Sequence, residues 1–241
     1  MFSHLQSLFS DIPLLLLRIP VILIALTVHE VMHAKAAFRH GDPTARNLGR
    51  TSLNPLKHLD PIGTILLFVA GFGWAKPVPV NSRYLEKPRR DMALIAIAGP
   101  LSNLCMGLCG ILFYAILSKI YVVTGLIVQL EGGLYLAVET EFAANLIRYS
   151  LLFVELFYSI NISLAVFNLL PIPPLDGSRL ATLILPPKWY YTVMRYEQYI
   201  YLGLMALVIF TDVLTFPLSW LVGVITNGAF WLINLIPFLS I

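Results

Sequence analysis

A mostly apolar run, IPLLLLRIPVILIALTV at positions 12–28, leads directly into His29-Glu30-Val31-Met32-His33. Residues four apart on an α-helix lie about 40° from each other around the axis, so His29 and His33 face the same way, one turn apart. Two imidazoles in this arrangement can bind one metal ion, and Glu30 can reach a water molecule on that ion without being a ligand. The stretch therefore predicts an apolar helix that carries a metal-dependent hydrolytic site.

The composition sets the class of protein. Of the 241 residues, 58% are hydrophobic and 12% are charged, which excludes an ordinary soluble domain and predicts an integral membrane protein. Ionisable groups at membrane depth are costly, so histidines and a carboxylate after an apolar run favour a functional site over a chance match. Cys105 and Cys109 lie within an apolar segment and fit small packing residues better than a disulfide or a zinc pair.

Five apolar segments have the length of membrane-spanning helices. They cover residues 12–38, 92–122, 145–170, 196–216 and 217–239. Residues 41–91 are rich in proline, and their apolar insert 62–72 is too short to span, which predicts an interfacial or re-entrant segment. Residues 50–54 and 76–80 are typical of short extended pieces. The predicted fold class is an all-α polytopic membrane protein with about five transmembrane helices and a small interfacial β-hairpin or re-entrant segment between the first two.

Charge along the chain predicts the orientation in the membrane. Residues 34–91 contain ten Lys or Arg, whereas residues 123–144 contain none. The positive-inside rule then places the metal end of the first span in the cytoplasm and the N-terminus outside, with the C-terminus inside if there are five spans. We expect one membrane domain over residues 1–241, with a catalytic core at 12–180 and accessory C-terminal transmembrane helices at 196–239.

A catalytic zinc ion takes three protein ligands and a water molecule, so a third ligand is needed. Candidates in the polar loop, where a turn or a solvated role is the alternative, are His40, Asp42, His58 and Asp60. Glu155 lies halfway along the third span, about 20 Å of helix rise from its end. Asp176 follows a proline-rich break, and irregular backbone at membrane depth is either buried in protein or lines a cavity. A carboxylate there is a natural ligand, with an Asp-Gly turn in a wet loop as the alternative.

Asn168 lies at the end of the third span, eight residues before Asp176. Its side chain could hydrogen-bond a substrate carbonyl, or it could cap backbone groups that the helix end leaves free. The sequence leaves both roles open.

Three separated signatures resemble those of the site-2 protease family of intramembrane zinc metalloproteases, especially its compact prokaryotic members without a PDZ domain. In chain order they are His29-Glu30-x-x-His33, Gly99-Pro100-x-x-Asn103 and Asn168-x-x-Pro171-x-Pro173-x-Leu175-Asp176-Gly177. Two connecting motifs also resemble the compact members, namely Gly41-Asp42-Pro43-Thr44-Ala45 and Gly73-Trp74-Ala75-Lys76-Pro77-Val78-Pro79-Val80. The resemblance covers residues 20–180.

The resemblance implies a role for each of six residues. His29, His33 and Asp176 would bind one zinc ion (Zn2+) per chain. Glu30 would be the catalytic base, and Asn168 would contact the scissile region. Asn103 would be a packing or site-lining residue.

The resemblance also implies the activity and its setting. The protein would hydrolyse peptide bonds in or near transmembrane segments of membrane-protein substrates, as in regulated intramembrane proteolysis. Its active site would lie toward the cytoplasmic face of a prokaryotic plasma membrane, and no nucleic-acid partner is expected. A substrate helix must unwind locally in the bilayer before attack, and an edge strand from the 50–80 loop could supply new backbone partners.

The competing class is a membrane metal transporter or metal sensor, because spans that carry His and Asp also bind ions. Glu30 favours the hydrolase, since transport needs no base beside the paired histidines. The sequence also has no second set of membrane-embedded ligands that would form a pathway. A catalytically inactive binder of membrane segments would have a degraded ligand set or base, and both are intact.

Overall fold

The chain is mostly helical in the computed structural model, which describes residues 12–61, 63, 75–130, 133–184, 186 and 195–239. The helices are α1 (Ile12–Arg39), α2 (Thr44–Asn47), α3 (Pro88–Val123), α4 (Glu141–Asn168), α5 (Asp176–Ile184), α6 (Glu197–Phe210) and α7 (Thr215–Asn234). Two short 3-10 turns lie at Pro55–Lys57 and Ser82–Tyr84. A two-stranded sheet consists of β1 (Ile127–Leu130) and β2 (Gly133–Leu136).

Four helices, α1, α3, α4 and α7, are long and apolar enough to cross a membrane. They correspond to the first, second, third and fifth predicted spans. The fourth predicted span, residues 196–216, contains α6, a helix of 14 residues. This helix is about 21 Å long, which is less than the roughly 30 Å of a bilayer core. The described residues therefore contain four of the five expected spans at membrane-spanning length.

The β-hairpin lies between α3 and α4, and not between the first two spans as predicted. Its strands are antiparallel, with Ile127 opposite Leu136 and Leu130 opposite Gly133. Residues 50–54 and 76–80 form no strand, because Pro77 and Pro79 have no N–H to extend a ladder.

An isolated antiparallel bridge between Leu59 and Ala75 brings together two separate parts of the proline-rich loop. The predicted interfacial or re-entrant insert, residues 62–72, lies outside the described residues apart from Gly63. Gly73 and Trp74 of the connecting motif lie outside them as well.

Helix α3 packs closely against α4, as its small residues predict. A Cβ atom added to Gly110 would lie 2.9 Å from the Cβ atom of Tyr158, so only glycine allows this separation. Ile111 and Ile162 are fully buried beside this contact, and one face of α7 packs over them. The result is a bundle in which α3 lies between the metal-motif helix α1 and the broken helix α4.

Buried charged side chains fasten the loop that follows α1. The Asp42 carboxylate accepts hydrogen bonds from the backbone N–H groups of Thr44 at 2.9 Å and Asn81 at 2.7 Å. Burial alone would raise the pKa of Asp42, but these hydrogen bonds and one from the Thr44 hydroxyl lower it. Arg50 donates to the carbonyl oxygens of Lys57 and Lys76. These hydrogen bonds therefore join separate parts of the loop to one another.

Candidate metal centre

Helix α1 buries both histidines of the metal motif on its inner side. The Nε2 atoms of His29 and His33 lie 3.0 Å apart, as the one-turn spacing predicts. The apolar run continues as helix through the motif to Arg39, so the imidazoles are held by a rigid element. Their shared direction would allow them to bind one ion.

Asp176 joins the histidine pair from the far end of the chain. It is the first residue of α5, and its Oδ2 atom lies 3.2 Å from Nε2 of His29 and 3.3 Å from Nε2 of His33. A Cβ atom at Gly177 would collide with the backbone carbonyls of Leu169 and Leu170. Glycine therefore lets α5 begin directly against the end of α4, which brings Asp176 to the histidines.

The other candidate ligands lie elsewhere. Among the residues that the structure describes, His29, His33 and Asp176 form the only cluster of three groups that could hold a metal ion. Outside it are His40, Asp42, His58, Asp60 and Glu155. His58, for example, is fully buried with Nε2 2.7 Å from the Ser52 carbonyl oxygen, which makes it a fastening residue of the loop.

The spacing of the three donor atoms fits zinc. Ligands of a tetrahedral zinc ion with bonds of about 2.0–2.1 Å lie about 3.3 Å apart, and these spacings are 3.0, 3.2 and 3.3 Å. The Oδ2 atom of Asp176 is buried and has no partner with hydrogen-bond geometry in the described chain, as suits an atom that faces a cation. The donor set is two imidazoles and a carboxylate.

Helix α3 provides the space that the ligands occupy. A Cβ atom at Gly99 would lie 2.7 Å from Nε2 of His29 and closer still to the His33 ring. Any side chain at this position would enter the volume where the donor atoms converge. The sequence indicated only close helix packing for this glycine, whereas the structure places it against the candidate metal site.

Hydrogen bonds from α3 orient both rings. Nδ1 of His33 donates to the carbonyl oxygen of Ile95 at 2.8 Å, and Nδ1 of His29 donates to Oδ1 of Asn103 at 2.6 Å. Because both partners accept at these atoms, each ring carries a proton on Nδ1, and in its neutral form each ring turns an unprotonated Nε2 toward Asp176. Asn103 is fully buried and contacts the candidate ligand His29, and its role as a packing or site-lining residue stays a prediction.

The predicted roles of Glu30 and Asn168 in catalysis can be compared with their contacts in the structure. Glu30 is buried beside His29 and is not one of the converging donor atoms. The half-buried side chain of Asn168 donates to the Leu164 carbonyl oxygen at 3.0 Å, within its own helix. Contact of Asn168 with the scissile region stays a prediction.

This geometry defines a class, a membrane-embedded helical protein with a His-His-Asp metal centre beside a carboxylate. Residues 18–211 match the model of peptidase family M50. YwhC of Bacillus subtilis, named as a zinc metalloprotease, is 39% identical over 194 residues, which are 80% of each chain. Rip2 of Mycolicibacterium smegmatis, named likewise, is 28% identical over 163 residues, 64% of this chain and 52% of Rip2. No solved structure gives a significant match.

The chain therefore belongs to peptidase family M50, the site-2 protease family, and is a zinc metallopeptidase. The resemblance read from its three signatures is confirmed. The alternative of a metal transporter or sensor has no support from these matches.

The purified full chain should contain about one zinc ion, and His33→Ala or Asp176→Ala should lower that content severalfold, because two donors hold zinc far less tightly than three. Elemental analysis after gel filtration measures this. His40→Ala is the matched control, since His40 lies outside the cluster and should leave zinc unchanged. Equal zinc in all four proteins would contradict the ligand assignment.

Proposed function

We propose that this protein is an intramembrane protease that hydrolyses peptide bonds in or near transmembrane segments of membrane-protein substrates, as in regulated intramembrane proteolysis. The observation that carries this proposal is the convergence of His29, His33 and Asp176 within a bundle of helices of membrane-spanning length. Family membership supports peptide hydrolysis. The burial of the three groups among apolar helices supports a substrate bond that is also at membrane depth.

The depth of the site suits a bond near one membrane face. His33 lies six residues before the end of α1 at Arg39, which corresponds to about 9 Å of helix rise. The residues that follow carry the concentration of Lys and Arg. We infer that the site opens toward the cytoplasmic face of a prokaryotic plasma membrane, which agrees with the bacterial relatives.

The chemistry divides between the ligand set and Glu30. A zinc ion bound by His29, His33 and Asp176 would lower the pKa of a water molecule and polarise the scissile carbonyl. Glu30 accepts a proton from the attacking water at its carboxylate and returns a proton to the leaving amine nitrogen. Asn168 donates a hydrogen bond to the reacting carbonyl region, where negative charge develops.

A substrate helix has to unwind before its carbonyl is accessible, and its freed backbone groups then need partners. Residues 76–80 are an irregular segment with mostly exposed or half-exposed side chains. Arg50 holds this segment through the Lys76 carbonyl. Burial lowers the pKa of Arg50, and the negative charge of Glu30 opposes that shift. We propose that residues 76–80 present a backbone edge to the unwound substrate close to the catalytic base.

The proposed domain organisation is a single membrane domain over residues 1–241. Its catalytic core, residues 12–180, contains α1, α3, α4 and the interfacial loop. The accessory helices lie in residues 196–239, and the packing of α7 over Ile111 and Ile162 supports their role as a brace for the core.

Glu30→Gln should abolish peptide cleavage while zinc stays bound, because the carboxylate transfers protons and is not a ligand. Cleavage of a membrane-protein substrate reconstituted with the protein measures activity, and elemental analysis measures zinc. Substantial residual turnover with full zinc content would reject Glu30 as the base.

Asn168→Ala should keep the zinc content and slow cleavage by roughly ten- to a thousandfold, the range expected for one hydrogen bond to the reacting carbonyl. The same reconstituted assay gives the rate. A parental rate would show that Asn168 only bonds the end of its own helix, which the contact with Leu164 already achieves.

The five-span topology predicts that positions 83 and 139 face opposite sides of the membrane. Single cysteines at Arg83 and Glu139, both exposed, should label from opposite sides in a protein whose Cys105 and Cys109 are replaced by serine. A membrane-impermeant thiol reagent applied to intact cells and to inverted vesicles measures this. Labelling of both positions from one side would exclude the proposed orientation.

A further inference from the structure

Two fully buried asparagines meet between α3 and α4, and neither belongs to the candidate ligand set. Nδ2 of Asn103 donates to Oδ1 of Asn161 at 2.8 Å and to the carbonyl oxygen of Ala25 at 3.2 Å. Nδ2 of Asn161 donates to the carbonyl oxygen of Phe157 at 2.8 Å. Since Oδ1 of Asn103 accepts from His29, one chain of hydrogen bonds runs from the backbone of α4 to the histidine on α1.

In this series of hydrogen bonds, the amide groups determine which atom donates and which accepts. A backbone carbonyl can only accept, so Phe157 requires the amide NH2 of Asn161 on its own side. The oxygen of Asn161 then faces α3. That oxygen and the Ala25 carbonyl both require the NH2 of Asn103, so the oxygen of Asn103 faces His29.

The orientation of Asn103 matters for the ring of His29. With its oxygen toward the ring, Asn103 accepts the proton of Nδ1 and leaves Nε2 free to bind a cation. The opposite orientation would turn the NH2 group toward Nδ1 and place the proton on Nε2. It would also set the Asn103 oxygen against the oxygens of Asn161 and Ala25, in a buried position where such contacts are not relieved by water.

We propose that Asn161 is a positioning residue for the metal centre, which through Asn103 holds His29 in the orientation and tautomer that bind zinc. This inference rests on the proposed zinc centre. Asn161 also differs from its neighbour Ile162, which is buried at the same helix contact but packs only against apolar groups. A purely structural residue at this position would need no oxygen directed at Asn103.

The first test compares zinc affinity in the detergent-solubilised full chain by competition with a chelator, a measurement independent of protease activity. Asn161→Leu removes the oxygen at similar volume and should weaken zinc binding by about tenfold, the lower end of the range for partners of metal ligands. The matched control is Ile162→Val, which alters packing at the adjacent position and should change affinity by less than about twofold. Equal effects of the two variants would overturn the proposal.

The second test distinguishes an effect on the orientation of the Asn103 side chain from a general loss of protein stability. Asn103→Asp carries an oxygen at both ends of the side chain, so it can accept from His29 in either orientation. In this background Asn161→Leu should weaken zinc binding by less than about threefold, because no orientation remains to be set. An undiminished tenfold loss would show that Asn161 acts by packing, and the proposal would be wrong.

A conservative variant covers the case in which Asn161→Leu does not fold. The hydroxyl of Asn161→Thr can donate to the Phe157 carbonyl and accept from Asn103, so this variant should lose less zinc affinity than Asn161→Leu, whereas a loss of tenfold or more would overturn the proposal. Zinc binding by the parental protein distinguishes a failure of the proposed zinc centre from a failure of the role proposed for Asn161. If it binds no zinc at all, the zinc centre itself is refuted, but if it binds zinc and the variants behave alike, only the role of Asn161 is refuted.

Discussion

Three polar donor atoms held within 3.3 Å of one another in an apolar helix bundle are the constraint on which the architecture depends. Two imidazole nitrogens and a carboxylate oxygen in this arrangement are costly unless a cation neutralises them, since the surrounding helices offer little solvation. The bundle therefore has to deliver His29 and His33 from one helix and Asp176 from another with small positional error. It must also leave a free lone pair on each ring.

Glycines on α3 and α5 satisfy the first of these requirements. Gly99 leaves room for the imidazoles beside α3, and Gly110 allows α4 to approach α3 closely. Gly177 then sets α5 against the end of α4, and Asp176 is carried to the histidines. The position of the carboxylate is thus a product of close backbone approach at several points, because the helices have few other polar contacts that could determine their separation.

Hydrogen bonds to two oxygen acceptors satisfy the second requirement. The Ile95 carbonyl and the side chain of Asn103 each take the Nδ1 proton of one histidine. Hydrogen bonds also hold the loop after α1, where backbone N–H and C=O groups satisfy the buried side chains of Asp42 and Arg50.

The amino-acid sequence by itself determined the features that depend on local periodicity. Long apolar runs predicted four helices that the structure describes at spanning length, and the four-residue spacing of His29 and His33 placed their side chains on one face. The proline-rich break before Asp176 indicated that this carboxylate follows the end of a helix, and the resemblance to a family assigned it to the metal.

Tertiary structure alone decided the contacts between residues far apart in the chain. Asn103 is 74 residues from His29, and Asn161 is 58 residues from Asn103, so no local pattern relates them. The contacts of these three residues depend on how closely α3 packs against α1 and α4. The size of the side chains where the helices cross determines that separation. The expected strands at residues 50–54 and 76–80 do not form, since Pro77 and Pro79 have no N–H groups for a ladder, and the observed hairpin joins neighbouring segments near residues 127–136.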